Sequence, residues 1–143
     1  MKKLLVILTA AGALFMGCTK SKSQANTIKQ MVGEWKIESY SEAKTDDLYG
    51  ASMSIVEEDD SFIIGGYSGV NYFSQTVSKK DDVKLGENMG CTRKMGAPEE
   101  NDFEAAFLNT LMKSDSWKVE DGKLVITAGE EKIVFVPAPK EME

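Results

Sequence analysis

The sequence predicts an α+β domain in which a strongly curved antiparallel sheet, a half-barrel, wraps around one helix near residues 98–113. Three observations predict it. Most of the chain alternates apolar with polar residues, the pattern of half-buried strands. Beyond the N-terminal segment, a single stretch following Pro98 carries a helical period instead. The apolar arc of that helix covers more than half its circumference, more than a flat sheet would bury.

The chain has 143 residues, which suggests one domain preceded by something to be removed. Residues 1–17 begin with Lys2 and Lys3, run apolar from Leu4 to Met16 and end on Gly17 before Cys18, as a secretory signal does. The apolar run is shorter than the ~20 residues a spanning helix needs. A small residue directly before Cys18 resembles the lipobox of bacterial lipoproteins, although Phe15 stands where that pattern usually has Leu. The resemblance implies cleavage before Cys18, with Cys18 as the lipid attachment site and contact with the membrane through that N-terminal lipid. More than one acyl chain gives stable anchoring. The expected location is the bacterial cell envelope. Thr19 is not the Asp associated with inner-membrane retention in some bacteria, which points to the outer membrane.

Residues 18–27 are polar and small and read as a flexible tether. The domain is expected over 28–137, followed by a tail at 138–143. A first strand has Trp35 and Ile37 on one face and Lys36 and Glu38 on the other; residues 42–47 form a charged loop. A second strand alternates Ala51, Met53 and Ile55 against serines, and Glu57, Glu58, Asp59 and Asp60 turn the chain into Phe62, Ile63 and Ile64. Gly65, Gly66 and Gly69 mark a sharp bend or bulge where backbones approach closely. Strand character resumes through Val77 and returns briefly at 83–85.

In the helix, Phe103, Ala106, Phe107, Thr110 and Leu111 share one face, and Leu108 and Met112 extend it, with Glu104 interrupting. Pro98 suits the first helical position, and Glu99, Glu100 and Asp102 complement the dipole. Asp121-Gly122 between alternating strands predicts a hairpin with a type I′ turn. Gly129 turns the chain into a last strand through Phe135, which Pro137 and Pro139 end.

Composition narrows the function. Acidic residues outnumber basic ones, 23 to 17, and loss of Lys2 and Lys3 with the signal would deepen the charge of −6. With no basic tract, nucleic acid is not an expected partner. There is no His, which removes the usual base for a Ser or Cys nucleophile and the commonest zinc ligand. With Cys18 lipidated, Cys91 has no cysteine to pair with inside the chain.

Gly33-x-Trp35, the segment GYSGVNYF at 66–73, Thr92-Arg93-Lys94-Met95 ahead of Pro98, and the closing hairpin strands together resemble the META domain. This is the HslJ-like group of bacterial heat-shock and envelope lipoproteins. The resemblance covers nearly all of the chain after the tether. It implies a curved antiparallel sheet half-wrapped around one helix, and association with heat shock, drug resistance, motility or virulence without an agreed biochemical activity. The fold also resembles lipid-binding pilot lipoproteins that help secretins reach the outer membrane. Many members carry a cysteine in the glycine-rich segment and another before the helix; here those places hold Val70 and Gly96.

Each candidate site has a plainer alternative. Ser68 sits in an incomplete nucleophile elbow, without His and without a following helix; a tight bend explains it better. Cys91 beside Arg93 and Lys94 is either a thiol of lowered pKa or a small, partly buried residue. The acidic run 57–60 lacks calcium-loop spacing and reads as a solvated turn. Arg93 and Lys94 form a cationic pair before a helix N-terminus, able to hold an anion or to pair with Glu99, Glu100 or Asp102. The candidate recognition loop is thus Asn71, Thr92, Arg93 and Lys94, with no catalytic residue, metal or cofactor expected. The leading expectation is a non-enzymatic, lipid-anchored envelope domain that binds a protein partner or an apolar ligand. The alternatives are a periplasmic chaperone or pilot-like assembly factor holding lipid or an apolar peptide inside the sheet, and, less favoured, an enzyme.

Overall fold

The computed structural model describes residues 20–139; the expected signal at 1–17, the expected lipid attachment site Cys18, Thr19 and the last four residues lie outside them. The elements are α1 (Lys20–Gln30), β1 (Gly33–Tyr40), β2 (Ser52–Glu57), β3 (Ser61–Tyr67), β4 (Tyr72–Ser78), β5 (Gly90–Cys91), α2 (Pro98–Met112), β6 (Ser116–Glu120), β7 (Lys123–Ala128) and β8 (Glu131–Pro137). One eight-stranded sheet has the order β5-β4-β3-β2-β1-β8-β7-β6, with every pairing antiparallel. It forms the half-barrel expected, with α2 against its concave face.

Alternation along the strands decides which side chains meet the helix. Trp35 and Ile37 of β1, Met53 and Ile55 of β2, Phe62 and Ile64 of β3, Phe73 and Val77 of β4 are all buried. From the other half come Leu124, Ile126, Ile133 and Phe135. Phe107 of α2 is fully buried at the centre. Its ring lies 5.8–6.3 Å from those of Phe103, Phe73, Tyr40 and Phe135, two of them edge-on, and such pairs each add about 0.5–1.5 kcal/mol beyond their buried area. The polar atoms of the two buried tryptophans are satisfied locally: Trp35 Nε1 donates to Met31 O at 2.7 Å and Trp117 Nε1 to Ser114 Oγ at 2.6 Å.

The Asp121-Gly122 turn forms as expected, with φ of 53° and 76°, the left-handed pair that a type I′ hairpin requires. At Gly66 the reason for glycine is space. A Cβ there would stand 2.1 Å from the carbonyl oxygen of Ser52 and 2.9 Å from the Phe73 ring. The close approach was legible, but Gly65 and Gly66 remain paired within β3, and the bend falls after them, where Ser68 N donates to Asn71 O at 2.8 Å.

Four local expectations need correction. Residues 18–27 do not all act as a tether, because α1 is a second helix and begins at Lys20. It is held by Ile28 and Met31, both buried, and by the Gln24 side-chain amide, which receives Val83 N and donates to Val83 O. Residues 83–85 form no strand; their backbone is occupied by side chains instead, Val83 by Gln24 and Lys84 O by Gln75 Nε2 at 2.9 Å. The loop before α2 contributes β5, a two-residue edge strand on β4. Met112 is 48% exposed and lies off the buried face of α2, which runs through Phe103, Phe107, Thr110 and Leu111.

Candidate functional site

The residues singled out around α2 separate into a buried clamp and an exposed display. Asn71 closes the β3–β4 turn and is only 4% exposed. Its side-chain amide is fully used. Nδ2 donates to Lys94 O at 3.1 Å and to Glu104 Oε2 at 2.8 Å, while Oδ1 accepts from Thr92 Oγ1 at 2.9 Å and from Lys94 N at 2.6 Å. Its backbone N–H donates to Glu104 Oε1 at 2.7 Å. Thr92 Oγ1 in turn accepts from Tyr72 N at 3.0 Å. Asn71 and Thr92 are therefore the fastening of the loop at 89–97, with Glu104 of α2 as its anchor.

Glu104 is the functional neighbour that sequence reasoning passed over. Its one visible signal was a charge interrupting the apolar face of α2. Ser68 contacts the same carboxylate, and its hydroxyl also reaches Asn71 O at 2.8 Å. Ser68 is fully buried, so its oxygen serves this turn and no substrate can approach it.

The loop side chains point outward. Arg93 and Lys94 are exposed, and Met95 is 87% exposed. Among the described residues neither cation makes an ion pair, which corrects the pairing expected with Glu99, Glu100 or Asp102. Glu100 turns back to accept Ala97 N at 3.1 Å. Asn101 ties down the end of the loop through Gly96, receiving Gly96 N and donating to Gly96 O, both at 2.9 Å. Gly96 in turn lies against Val70: a Cβ added there would be 2.8 Å and 3.4 Å from the Val70 methyl groups.

Cys91 is exposed as a residue, yet partial burial of its thiol and, secondarily, the charge of Glu104 push its pKa up. The electropositive thiol of lowered pKa is not formed. Glu57 of the acidic turn is bound by Lys79 at 3.0 Å and Lys29 at 3.6 Å, which hold its carboxyl below the usual range. Among the described residues no group of three metal-capable side chains assembles.

The space between sheet and helix is filled by Phe107, Leu111, Phe62 and Phe135, all at most 1% exposed. A cargo inside the sheet would have no room there. A cavity of about 220 Å³ lies instead at the rim, between the β1–β2 loop and the first turns of α2, with Tyr40, Tyr49, Phe103 and Ala106 among its walls. No described helix is long and apolar enough to cross a membrane.

Comparison with known proteins adds two findings. The model of the META domain family matches residues 27–140. The fold is similar to that of an NMR structure of a protein from Burkholderia xenovorans, with a TM-score of 0.53 over 81% of this chain and 89% of that one. Identity between the two is 16%, so this likeness concerns the fold alone. The curated proteins give no match.

Proposed function

Because the chain belongs to the META domain family, we propose that it is a non-enzymatic binding domain of the bacterial cell envelope, anchored through lipid on Cys18 at the outer membrane and acting in stress or drug tolerance. The family suggests an envelope-associated role without catalysis. The signal-like segment before Cys18 supports the anchor.

One observation carries the recognition surface. Both backbone polar groups of Lys94 are held by the buried Asn71 amide, while the Arg93 and Lys94 side chains stay unpaired and Met95 stands in solvent. A loop fixed from beneath loses little freedom when it binds, which favours affinity. Two free cations beside a protruding thioether suit a protein partner that presents carboxylates around an apolar contact.

The test is a photo-reactive residue placed at Met95 in cells. A cross-linked protein adduct should form, and it should vanish when Arg93→Glu and Lys94→Glu are combined, with the melting temperature unchanged. An adduct indifferent to both charges would sink the loop as the recognition surface. For the anchor, Cys18→Ala should release the protein from the membrane fraction with its signal uncut; unchanged partitioning would refute it.

A further inference from the structure

The rim cavity has a composition that the loop at 89–97 does not share. Its floor is aromatic: Phe103 meets Tyr40 edge-on at 5.9 Å and Tyr49 tilted at 5.2 Å. The Tyr40 hydroxyl is already bonded to Thr110 Oγ1 at 2.6 Å, so the small part of this buried side chain that borders the cavity offers it no free polar group. Tyr49 is held with φ of 53°, unusual for a bulky residue, by its N–H bond to Asp47 Oδ1 and by the turn into Gly50. That conformation accompanies the placing of its ring against Phe103.

Around this floor stand Glu42, Glu99 and Asp102. All three are exposed, and among the described residues none of their carboxylates pairs with a cation or accepts a hydrogen bond. Lys44 is the one opposing charge in the lining. The positive end of α2 lies nearby, but Glu99 and Glu100 in its first turn offset it.

We infer that this cavity binds an organic cation with an apolar body, a primary or quaternary ammonium attached to one ring or a short chain. A volume of about 220 Å³ exceeds the ~150 Å³ cavity that accommodates benzene in another protein, leaving room for the charged group at the carboxylate rim. Aromatic faces attract cations, and the acidic net charge of the chain raises their local concentration. The inference adds a small-molecule class to the proposed binding role, in line with the apolar ligand expected from the sequence. It rests on that role, yet it uses none of the residues of the recognition loop.

The experiment is an NMR titration of the isotopically labelled full domain with three probes of similar size: 2-phenylethylamine, 2-phenylethanol and phenylacetate. The amine should shift the amides of residues 42–49 and 99–106 saturably, binding about fivefold or more tighter than the alcohol, the scale of one cation over an aromatic face. Phenylacetate should be the weakest. Combining Glu99→Gln with Asp102→Asn, both at exposed positions, should narrow the gap between amine and alcohol without weakening the alcohol, and an unchanged gap would overturn the role of the carboxylate rim. Equal binding of amine and alcohol, tightest binding of phenylacetate, or no shifts at the cavity would each overturn the inference. The Arg93→Glu, Lys94→Glu variant should bind the amine as the unaltered domain does, so failure of the loop and failure of the cavity are read separately.

Discussion

Asn71 and Glu104 meet as a two-pronged pair: the backbone N–H of Asn71 donates to Oε1 at 2.7 Å and its Nδ2 to Oε2 at 2.8 Å. The pair joins the β3–β4 turn to the middle of α2, and through Lys94 it carries the loop that presents Arg93. A single buried amide thus connects the sheet, the helix and the exposed cations.

Asn71→Ala should expose this dependence. It removes four side-chain hydrogen bonds and leaves Glu104 and the Lys94 backbone short of partners. Urea unfolding should show a loss of about 2–4 kcal/mol. Hydrogen exchange should accelerate across residues 89–97 more than in β7 or β8; a uniform change would argue against a local clamp.

Val70 and Gly96 sit close enough to be bridged. In a disulfide the Cβ of one residue lies about 3.0 Å from the sulfur of the other, and a Cβ on Gly96 would lie 2.8 Å and 3.4 Å from the Val70 methyls. The double variant Val70→Cys, Gly96→Cys should oxidise spontaneously, lose two hydrogens by mass spectrometry and gain about 3 kcal/mol. Pairing through Cys91 instead would contradict this geometry.

Gly66→Ala and Gly90→Ala make an opposed pair. The first forces a methyl group into the Ser52 carbonyl and the Phe73 ring, whereas the second meets nothing closer than 4.0 Å. Thermal unfolding should show Gly66→Ala destabilised by on the order of 3 kcal/mol or more. Gly90→Ala should remain within about 1 kcal/mol.

Glu131 predicts an acid limb. Lys113 and then Thr110 hydrogen-bond its carboxylate and hold its pKa below the ordinary 4.5. A carboxyl whose pKa is lower folded than unfolded stabilises fully above the unfolded value, and that share disappears as pH falls through the folded one. Stability should be flat near neutrality and decline below about pH 4.5. The gap between the unaltered domain and Glu131→Gln should be widest near neutral pH and close on acidification. A gap independent of pH would reject the assignment.

The half-barrel was legible because its signals are local: the alternation through Trp35 and Ile37, the Asp121-Gly122 turn, and the spacing of Phe103, Phe107 and Leu111. What escaped depends on contacts between distant segments. The polar run that opens α1 offers only Ala25 as an apolar residue before Ile28, and part of its docking comes from Gln24 reaching Val83, 59 positions away. Asn71 was identified as a candidate, but its buried role requires Glu104, 33 positions on. Arg93 and Lys94 were expected to pair because carboxylates follow closely in sequence. The fold turns Glu100 to Ala97 N and places Glu99 and Asp102 at the rim cavity, so nearness along the chain did not become nearness in space.

The pairing of β1 with β8 has a consequence for synthesis and for engineering. The first and last strands are neighbours at the middle of the sheet, and Ala138 N donates to Glu34 O at 2.9 Å. While the chain emerges N-terminus first, β1 keeps one edge unpaired until β8 has appeared, which leaves the nascent domain open and dependent on residues 131–137. A deletion that reached into 131–137 would remove an interior strand rather than trim a border. A fusion partner attached directly after Ala138 would start close to β1, and the Asp121-Gly122 turn is a better place to open new termini.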